Sequence, residues 1–314
     1  MAMKSGLITF MSLILLSINA YSQQIVFTPQ WSAQSQFAGY YVAQELGFYK
    51  DAGLDVIIEH TSTSEVALNR LLNKKSDAIT MMLFDALYQI DQGTEIVNVL
   101  QTAQRSGHVV VVRNDSINDI DDLRGKRIGI WRSSFNQLVQ LMDIDYQLDI
   151  DWVPFVQSIN LYISGAIDAT MAMRYNELYW IHASGFEDKT VISMLDIGYD
   201  YPEEGVYFSK DFYERHPDKA EAFAVASRRG WEWAHEHPEE ALDIVFKVME
   251  REEVPVSRRH QEWMLREVLK QQCPSGEKRP SFTLDENKLN ELNELLIRHG
   301  RIDKEISIDQ IQGR

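Results

Sequence analysis

Cysteine is almost absent from this sequence, and basic residues are outnumbered by acidic ones. The single cysteine, Cys273, excludes an internal disulfide bond. The chain carries 31 lysines and arginines against 47 aspartates and glutamates, which gives a net charge of −16. A protein that binds nucleic acid neutralises phosphates with basic side chains, so this balance has the wrong sign. We therefore exclude DNA and RNA as the main partners.

Long apolar runs are also lacking, and the clearest short one lies near the N-terminus. It covers 7–16, whereas a membrane-spanning helix needs about 20 apolar residues. Lys4 precedes this run and a small-x-small sequence follows it at 20–22, a pattern typical of a signal peptide at 1–22. No cysteine lies near the expected cleavage site, which argues against a lipoprotein. We predict a mature chain that begins near Gln23 and a periplasmic location in a bacterium.

Known catalytic motifs are missing as well. The sequence contains no P-loop, no glycine-rich dinucleotide turn, no G-x-S-x-G elbow and no H-E-x-x-H motif. His235 and His237 stand beside Pro238 at a predicted helix end, where histidines commonly interact with the helix dipole. Cys273 is followed by a proline and lacks an obvious activating residue. We therefore predict a binding function without catalysis, metal or cofactor.

The sequence does contain a repeated alternation of strand and helix patterns. Short β-branched runs alternate with amphipathic segments over 25–101, and the alternation restarts over 109–195. A βαβα series predicts a parallel sheet covered by helices, so we predict two α/β lobes. The nonapeptides NKKSDAITM at 73–81 and ISGAIDATM at 163–171 suggest that the lobes share one plan. From Asp211 onward the pattern is almost entirely helical, and we assign these helices to the outside of the first lobe.

Aromatic residues stand at or near several predicted junctions between strands and helices. In open α/β sheets ligands bind at the carboxyl ends of the strands, where flat rings can stack on a planar ligand. The alternative is that each ring simply packs in the core. The aromatic candidates for ligand binding are Trp31, Tyr40, Tyr41, Phe84, Trp131 and Tyr207.

Polar residues follow predicted strands in both lobes. The loop at 61–64 and the loop at 132–134 occupy equivalent places, and each can offer hydroxyl and N–H groups to a ligand. N-capping of the following helices is the alternative. The carboxylate of Glu177 can accept paired hydrogen bonds from a ligand amine, or it can complement a helix dipole. The polar candidates are Thr63, Ser64, Asp85, Arg105, Arg132, Ser133, Asn176 and Glu177.

Six stretches of the sequence carry a family resemblance. They are PQWSAQSQFAGYYVAQELGFYKDAGLDV, SDAITM, QTAQRS, DDLRGKRIGIW, GAIDATMAMRYNE and FAVASRRGWEWAHEHPEEAL. As a set they resemble the thiamine-pyrimidine-precursor-binding family of periplasmic solute-binding proteins, over about 27–246. The DLRGKR turn in the fourth stretch is shared with taurine and alkanesulfonate binders.

The resemblance implies a type II periplasmic-binding-protein fold, in which two hinged α/β lobes close on a small ligand in the cleft between them. The first lobe is then discontinuous, formed by 23–107 and 206–314, and 108–205 forms the second. The chain is expected to cross between the lobes near 106–109 and 203–207. A protein of this kind acts as a monomer and delivers its ligand to an ABC permease in the inner membrane.

The resemblance also implies a ligand and the residues around it. Family members stack a pyrimidine ring between aromatic side chains and hold its amino group with a carboxylate. This places Trp31, Tyr40 or Tyr41, and Glu177 around an aminopyrimidine. One tyrosine of the pair is expected to face the cleft while its neighbour packs inward.

Three alternatives stay open at this point. The same fold could bind a sulfonate through Arg105 and Arg132, or it could serve as a sensory subunit that reports ligand occupancy to a membrane kinase or cyclase. An enzyme is the third alternative, although the cysteine-rich motif of the eukaryotic pyrimidine-synthesising relatives is lacking here. The bulky loop at 132–135 stands where family members often have glycines, which leaves the exact ligand open.

Overall fold

The computed structural model describes residues 24–61, 66–132, 136–155, 159–187 and 189–314. The predicted signal peptide and the candidates Thr63, Ser64 and Ser133 lie outside the described residues. Within them the strands are β1 (Gln24–Thr28), β2 (Asp55–Ile58), β3 (Ala78–Met82), β4 (Ile96–Gln101), β5 (His108–Val112), β6 (Arg127–Trp131), β7 (Asp151–Phe155), β8 (Ala169–Met173), β9 (Val191–Ser193) and β10 (Glu204–Ser209). The α-helices are α1 (Ala38–Glu45), α2 (Phe48–Asp51), α3 (Ala67–Leu72), α4 (Leu83–Asp91), α5 (Asn136–Tyr146), α6 (Asn160–Ile163), α7 (Glu177–Ala183), α8 (Lys210–Arg215), α9 (Pro217–Glu236), α10 (Pro238–Arg251), α11 (Arg258–Gln271), α12 (Glu286–Arg298) and α13 (Ile308–Gln312).

Five strands form the first sheet, in the order β2-β1-β3-β10-β4. β1 runs parallel to β2 and β3, whereas β10 runs antiparallel to β3 and β4. Every residue of β3 is buried, as expected for a strand covered by helices on both faces. β10 joins this sheet only after the second sheet is complete, so the chain crosses between the sheets twice.

The second sheet has the order β7-β6-β8-β5-β9. β6 runs parallel to β7 and β8, whereas β5 runs antiparallel to β8 and β9. Both sheets therefore place one antiparallel strand in the fourth position, among four strands that run parallel to one another. We call the units around the two sheets the first lobe and the second lobe. The predicted pair of α/β units on one plan is confirmed.

The sequence echo between the lobes has a structural cause. Asp77 Oδ2 accepts a hydrogen bond from the backbone N–H of Val26 at 2.9 Å, and Asp168 Oδ2 accepts one from the backbone N–H of Arg127 at 3.0 Å. In each lobe, the aspartate before a central strand binds the backbone of the neighbouring parallel strand, at Val26 in the middle of β1 and at Arg127 at the beginning of β6. The repeated Asp-Ala pair marks this equivalent position.

Two glycines allow α1 and α9 to pack closely over the first sheet. A Cβ atom on Gly39 would lie 2.1 Å from the ring of Trp231, and a Cβ atom on Gly230 would lie 2.0 Å from the carbonyl oxygen of Gly39. Neither position can hold a larger residue without moving a helix. The close approach buries the Trp231 side chain completely and places its ring beside Tyr40.

The opening helix is interrupted, which the sequence pattern did not predict. Apolar residues at 38, 42 and 46 predict one continuous helix, with Lys50 near its end and Gly53 after it as a stop signal. The structure instead ends α1 at Glu45 and begins α2 at Phe48, because Gly47 adopts the left-handed conformation with φ of 78°.

The region after β10 is helical, as predicted. The assignment of all its helices to the outside of the first lobe is incomplete, because α11 also contacts the second lobe. Trp263 on α11 donates from Nε1 to the carbonyl oxygen of Arg174 at 2.8 Å. Among the helices of the described residues, none combines the length and the hydrophobicity needed to cross a membrane.

Candidate functional site

The two chain crossings lie side by side between the sheets. The backbone N–H groups of Thr102 and Ala103 donate to the carbonyl oxygen of Glu204 at 3.0 and 2.9 Å, and that of Glu203 donates to Ala103 at 3.1 Å. Next to them is a cavity of about 20 Å³, which has room for about one water molecule. The cavity is lined by Gln36, Met82, Thr102, Ala103, Tyr175, Glu203, Glu204, Trp231, Val268, Gln271 and Gln272.

Glu204 is a buried acid held by two amides. Gln30 and Gln36 donate from Nε2 to its Oε2 at 2.7 and 2.8 Å. Burial raises the pKa of Glu204 to about 8, with a smaller contribution from the neighbouring charge of Glu203, and the two amides oppose this rise. The side chain is therefore mostly a neutral carboxylic acid at pH 7. It offers both an O–H donor and a carbonyl acceptor to the space between the lobes.

Glu203 connects the two crossings to each other. Its Oε1 accepts hydrogen bonds from Ser106 Oγ at 2.8 Å, from the backbone N–H of Gly107 at 2.9 Å and from His108 Nδ1 at 2.6 Å. Its Oε2 accepts one from Gln271 Nε2 at 2.6 Å. This carboxyl group therefore fixes the geometry at the point about which the lobes would move.

The second lobe brings three of the predicted residues together. Glu177 Oε1 accepts hydrogen bonds from Trp131 Nε1 at 3.2 Å and from Asn176 Nδ2 at 3.1 Å. Its Oε2 accepts one from the backbone N–H of Met173 at 2.9 Å. Burial raises the pKa of Glu177 despite these donors. Trp131, Asn176 and Glu177 thus form one polar cluster at the beginning of α7.

The adjacent tyrosines are both fully buried in the first lobe. The ring of Tyr40 packs edge-on against Phe27 and Trp231, with centroids 4.8 and 5.5 Å away. Tyr41 lies 2.7 Å from His60 Nε2 through its hydroxyl oxygen, and burial lowers the pKa of His60 to about 4. Neither tyrosine is among the side chains that line the cavity. Their contact with a ligand stays a prediction.

Trp31 lies in the loop after β1, and its side chain is partly exposed. Its carbonyl oxygen accepts a hydrogen bond from His60 Nδ1 at 2.6 Å, which holds the loop against the first lobe. The residue before it, Gln30, is the one that donates to Glu204. The Trp31 ring therefore lies one residue after a side chain that binds the buried acid, and stacking by Trp31 on a ligand stays a prediction.

The remaining candidates lie apart from this cavity. Arg105 donates from Nε to Asp200 Oδ2 at 3.3 Å, so its charge is matched, and Arg132 is exposed. Phe84 and Asp85 line a neighbouring cavity of about 20 Å³. Tyr207 is completely buried on β10, and burial raises its pKa. None of the predicted candidates that the structure describes lines the cavity beside Glu204. Trp131, Asn176 and Glu177 are instead brought together with one another.

Some residues of the site were not predicted from the sequence. Gln36, Tyr175, Glu204 and Trp231 line the cavity, yet none was among the candidates. Tyr175 stands directly before the predicted Asn176, so the position in the motif was available as a signal. Glu204 gave little signal, because adjacent acids usually lie on the surface.

The residues weighed for metal binding and nucleophilic chemistry have structural contacts. His235 Nε2 lies 2.9 Å from Gln272 Oε1, and burial raises the pKa of the Cys273 thiol, which disfavours a reactive thiolate. In the part of the chain that the structure describes, no group of three or more His, Cys, Asp or Glu side chains is arranged to hold a metal ion.

Comparison with known proteins identifies relatives over most of the chain. The chain is 26% identical over 227 residues to the protein YtlA of Bacillus subtilis (strain 168), which covers 67% of this chain and 66% of YtlA, just under two thirds of its length. It is 24% identical over 263 residues to the riboflavin-binding protein RibY of Chloroflexus aurantiacus, covering 80% of this chain and 72% of RibY. It is 25% identical over 260 residues to the formylaminopyrimidine-binding protein of Halalkalibacterium halodurans, covering 78% of this chain and 77% of that protein.

Solved structures agree with the predicted architecture. The crystal structure of the periplasmic aliphatic sulphonate binding protein SsuA from Escherichia coli superimposes with a TM-score of 0.67 over 91% of each chain, at 13% identity. The predicted fold class, an α/β periplasmic-binding-protein fold with two lobes, is therefore confirmed. The family model described as NMT1/THI5 like matches residues 34–241. The chain belongs to this NMT1/THI5-like family, and the predicted resemblance is confirmed.

Proposed function

We propose that this protein binds a thiamine-type aminopyrimidine in the cleft between its lobes and delivers it to an ABC importer. The observation that supports this most directly is the neutral acid Glu204, held by Gln30 and Gln36 beside the aromatic side chains of Tyr175 and Trp231. Such a site suits a flat, uncharged heterocycle with a polar edge. The relative that is named for binding formylaminopyrimidine supports the same ligand class.

The edge of a 4-aminopyrimidine matches a neutral carboxylic acid at two points. The amino group donates to the carbonyl oxygen of the acid, and the adjacent ring nitrogen accepts the proton of its O–H group. Both glutamine amides point at Oε2 of Glu204, so the acidic proton belongs on Oε1. The ligand amino group would take the place of one amide at Oε2, while Oε1 donates to the ring nitrogen.

The second lobe contributes the other side of the proposed site. Glu177 accepts further hydrogen bonds from the ligand, while Trp31 of the first lobe stacks on the ring. A ligand that contacts both lobes favours the closed state, because only that state offers both sets of contacts. The 20 Å³ cavity is far smaller than the several hundred Å³ of a typical ligand site, so binding requires opening of the cleft.

The cellular role that we propose is periplasmic capture rather than catalysis. A cleaved signal peptide at 1–22 would export the protein, and N-terminal sequencing of the exported form should begin near Gln23. We propose the lobe boundaries 23–107 with 206–314, and 108–205, except that β10 places Glu204 and Gly205 in the first sheet and so in the first lobe. The matched charge of Arg105 gives no support to the sulfonate alternative.

Calorimetry on the mature protein tests the ligand assignment. The probe is 4-amino-5-hydroxymethyl-2-methylpyrimidine, with riboflavin and taurine as competitors from other ligand classes. Glu204→Ala removes two hydrogen bonds, which are worth roughly 0.5–1.5 kcal/mol each, so we expect a loss of about fivefold to hundredfold in affinity. Glu204→Gln keeps one acceptor and one donor in the same place, so its affinity should stay within about fivefold.

Comparing Glu204→Ala with Glu204→Gln shows whether the ligand is bound by the neutral acid or by the carboxylate form of Glu204. If Glu204→Gln binds as weakly as Glu204→Ala, recognition needs the charged form and the proposed edge matching is wrong. If the parent protein binds riboflavin or taurine but not the pyrimidine, the ligand assignment fails and only the binding fold remains. Circular dichroism on each variant controls for misfolding.

A further inference from the structure

Helix α11 lies across the junction between the two lobes. Its last residue, Gln271, donates from Nε2 to the carbonyl oxygen of Arg105 at 2.8 Å and to Glu203 Oε2 at 2.6 Å. This end is therefore fixed to both chain crossings. The helix has 14 residues and so extends for roughly 20 Å at 1.5 Å per residue. Its other end lies away from the crossings, where rotation of the lobes produces the larger displacement.

The first turn of α11 carries a chain of hydrogen bonds from one lobe to the other. The backbone N–H of Ser35 in the first lobe donates to Gln261 Oε1 at 2.7 Å, and Gln261 Nε2 lies 3.4 Å from His260 Nδ1. His260 Nε2 lies 2.9 Å from Asn176 Oδ1, and Asn176 Nδ2 donates to Glu177 Oε1 at 3.1 Å. A neutral imidazole with its proton on Nε2 satisfies every step in one direction. Burial favours the neutral imidazole, since it lowers the pKa of His260 to about 4, and the acceptor Asn176 Oδ1 favours the proton on Nε2.

Aromatic contacts strengthen the same junction. Trp263 donates from Nε1 to the carbonyl oxygen of Arg174 at 2.8 Å. The ring of His260 lies 5.2 Å from that of Tyr179 and 4.7 Å from that of Trp180, measured between centroids. Tyr179 and Trp180 belong to α7 of the second lobe. Such ring pairs stabilise a contact beyond the area they bury.

We propose that α11 is an interlobe latch, in which His260 is a positioning residue for Asn176 and Glu177. The helix is fixed to the first lobe and to the chain crossings. Residues of its first two turns contact α7 when the cleft closes. An open cleft separates His260 from Asn176 and Trp263 from Arg174. The latch therefore slows release of a bound ligand, since release requires these contacts to break. The part of this inference that concerns Glu177 and the ligand rests on the proposed function.

Stopped-flow fluorescence with the same hydroxymethylpyrimidine tests the latch through release kinetics. His260→Ala loses the hydrogen bonds to Asn176 and Gln261 and two ring contacts, so we expect dissociation to be about tenfold faster and association to change less than twofold. His260→Gln restores an N–H donor near the position of Nε2 and should return the dissociation rate to within about threefold of the parent. Arg259→Ala is the matched control, because Arg259 is an exposed residue of the same helix.

Small-angle scattering of the ligand-free protein tests the latch without any ligand. His260→Ala and Trp263→Ala should have a larger radius of gyration than the parent and Arg259→Ala. Equal radii for all four proteins would overturn the latch, as would a His260→Ala variant that loses thermal stability with an unchanged radius and release rate. If the parent binds no aminopyrimidine, the proposed function fails, and the radii alone decide the latch.

Discussion

The two lobes share a strand order but surround their buried acids differently. Glu204 of the first lobe stands on the inserted antiparallel strand and is held by side-chain amides of Gln30 and Gln36. Glu177 of the second lobe begins a helix and is held by an indole, an amide and a backbone N–H group. The pKa of each is raised by burial, and Glu204 reaches about 8. One plan has thus given two carboxyl groups with different electrostatic surroundings.

The electrostatic difference between the two acids follows from the kind of hydrogen-bond donor that surrounds each carboxyl group. A backbone N–H group is fixed by the fold and favours a carboxylate, as at Glu177. Side-chain amides are adjustable, and at Glu204 they do not compensate for burial beside a second acid. We infer that the two acids bind the ligand differently. The neutral acid of the first lobe donates and accepts hydrogen bonds at one edge of the ligand, whereas the acid of the second lobe only accepts hydrogen bonds from the ligand.

The largest expected effect is the pH dependence that Glu204 gives to the free energy of unfolding. In the unfolded chain this group has its ordinary pKa of 4.5, whereas in the folded protein the pKa is about 8. Between these values the folded state retains a proton that the unfolded state has lost, so stability falls as pH rises. The loss amounts to roughly 1.4 kcal/mol per pH unit, begins above pH 4.5 and levels off above pH 8.

Urea denaturation of the parent and of Glu204→Gln at a series of pH values measures this effect. Subtracting the free energy of unfolding of Glu204→Gln from that of the parent at each pH should isolate the contribution of Glu204, because the amide does not titrate. Glu239→Gln, a substitution of an exposed glutamate on α10, should leave the pH dependence of the parent unchanged. A Glu204→Gln curve parallel to that of the parent would show that Glu204 is ionised in the folded protein.

The second effect concerns ligand binding at Glu177. Substitution of Glu177 by Gln should weaken binding, whereas the same substitution at Glu204 should change it little. Glu177→Gln replaces one acceptor oxygen by an NH₂ group that must face either Trp131 and Asn176 or the backbone N–H of Met173. Loss of a charge-assisted hydrogen bond, worth roughly 1.5–3 kcal/mol, should weaken aminopyrimidine binding by about tenfold or more. Calorimetry measures the affinity of Glu177→Gln and of Glu204→Gln for the same aminopyrimidine. Equal affinities for the two Gln variants would remove the distinction between the acids.

The sequence predicted most of what depends on local pattern. The alternation of strands and helices gave both lobes. In the helical region from Asp211 onward, the pattern predicts helices at 219–236, 238–249, 257–272 and 285–299, which correspond to α9, α10, α11 and α12 within two residues. Proline and glycine punctuation and apolar periodicity act over a few residues, so these bounds are readable. The break at Gly47 was missed because a glycine is tolerated inside a helix as well as at its end.

The site was harder to predict because its properties are tertiary. Trp131, Asn176 and Glu177 were predicted as ligand-binding residues because Trp131 closes β6 and the other two follow β8, but their mutual hydrogen bonds were not predicted. The burial of Glu204 was not, because it depends on Gln30 and Gln36, which are distant in sequence. The pattern also gave no reason to expect that α11 would reach the second lobe.

A third, smaller effect tests how far the lobes are equivalent. Asp77 and Asp168 each accept a hydrogen bond from a backbone N–H group of a neighbouring strand, at 2.9 and 3.0 Å. Asp77→Ala and Asp168→Ala each leave such a donor unpaired, so each should lower the free energy of unfolding by about 1–3 kcal/mol. Urea denaturation measures both. Values that differ by more than about 2 kcal/mol would mean that the shared plan does not extend to these anchors.

The smallest effect is expected at Arg132, and it separates the pyrimidine from the sulfonate alternative. Arg132 is exposed at the end of β6, and the charge of an exposed side chain contributes little when solvent screens it. Arg132→Ala should therefore change the dissociation constant of the hydroxymethylpyrimidine by less than about threefold. A sulfonate binder would need this guanidinium in its cleft, because the other candidate, Arg105, is already paired with Asp200. Calorimetry with taurine and with the pyrimidine decides between them. Taurine binding that disappears in Arg132→Ala would favour the sulfonate, whereas unchanged pyrimidine binding and no taurine binding in either protein would leave recognition to the two acids.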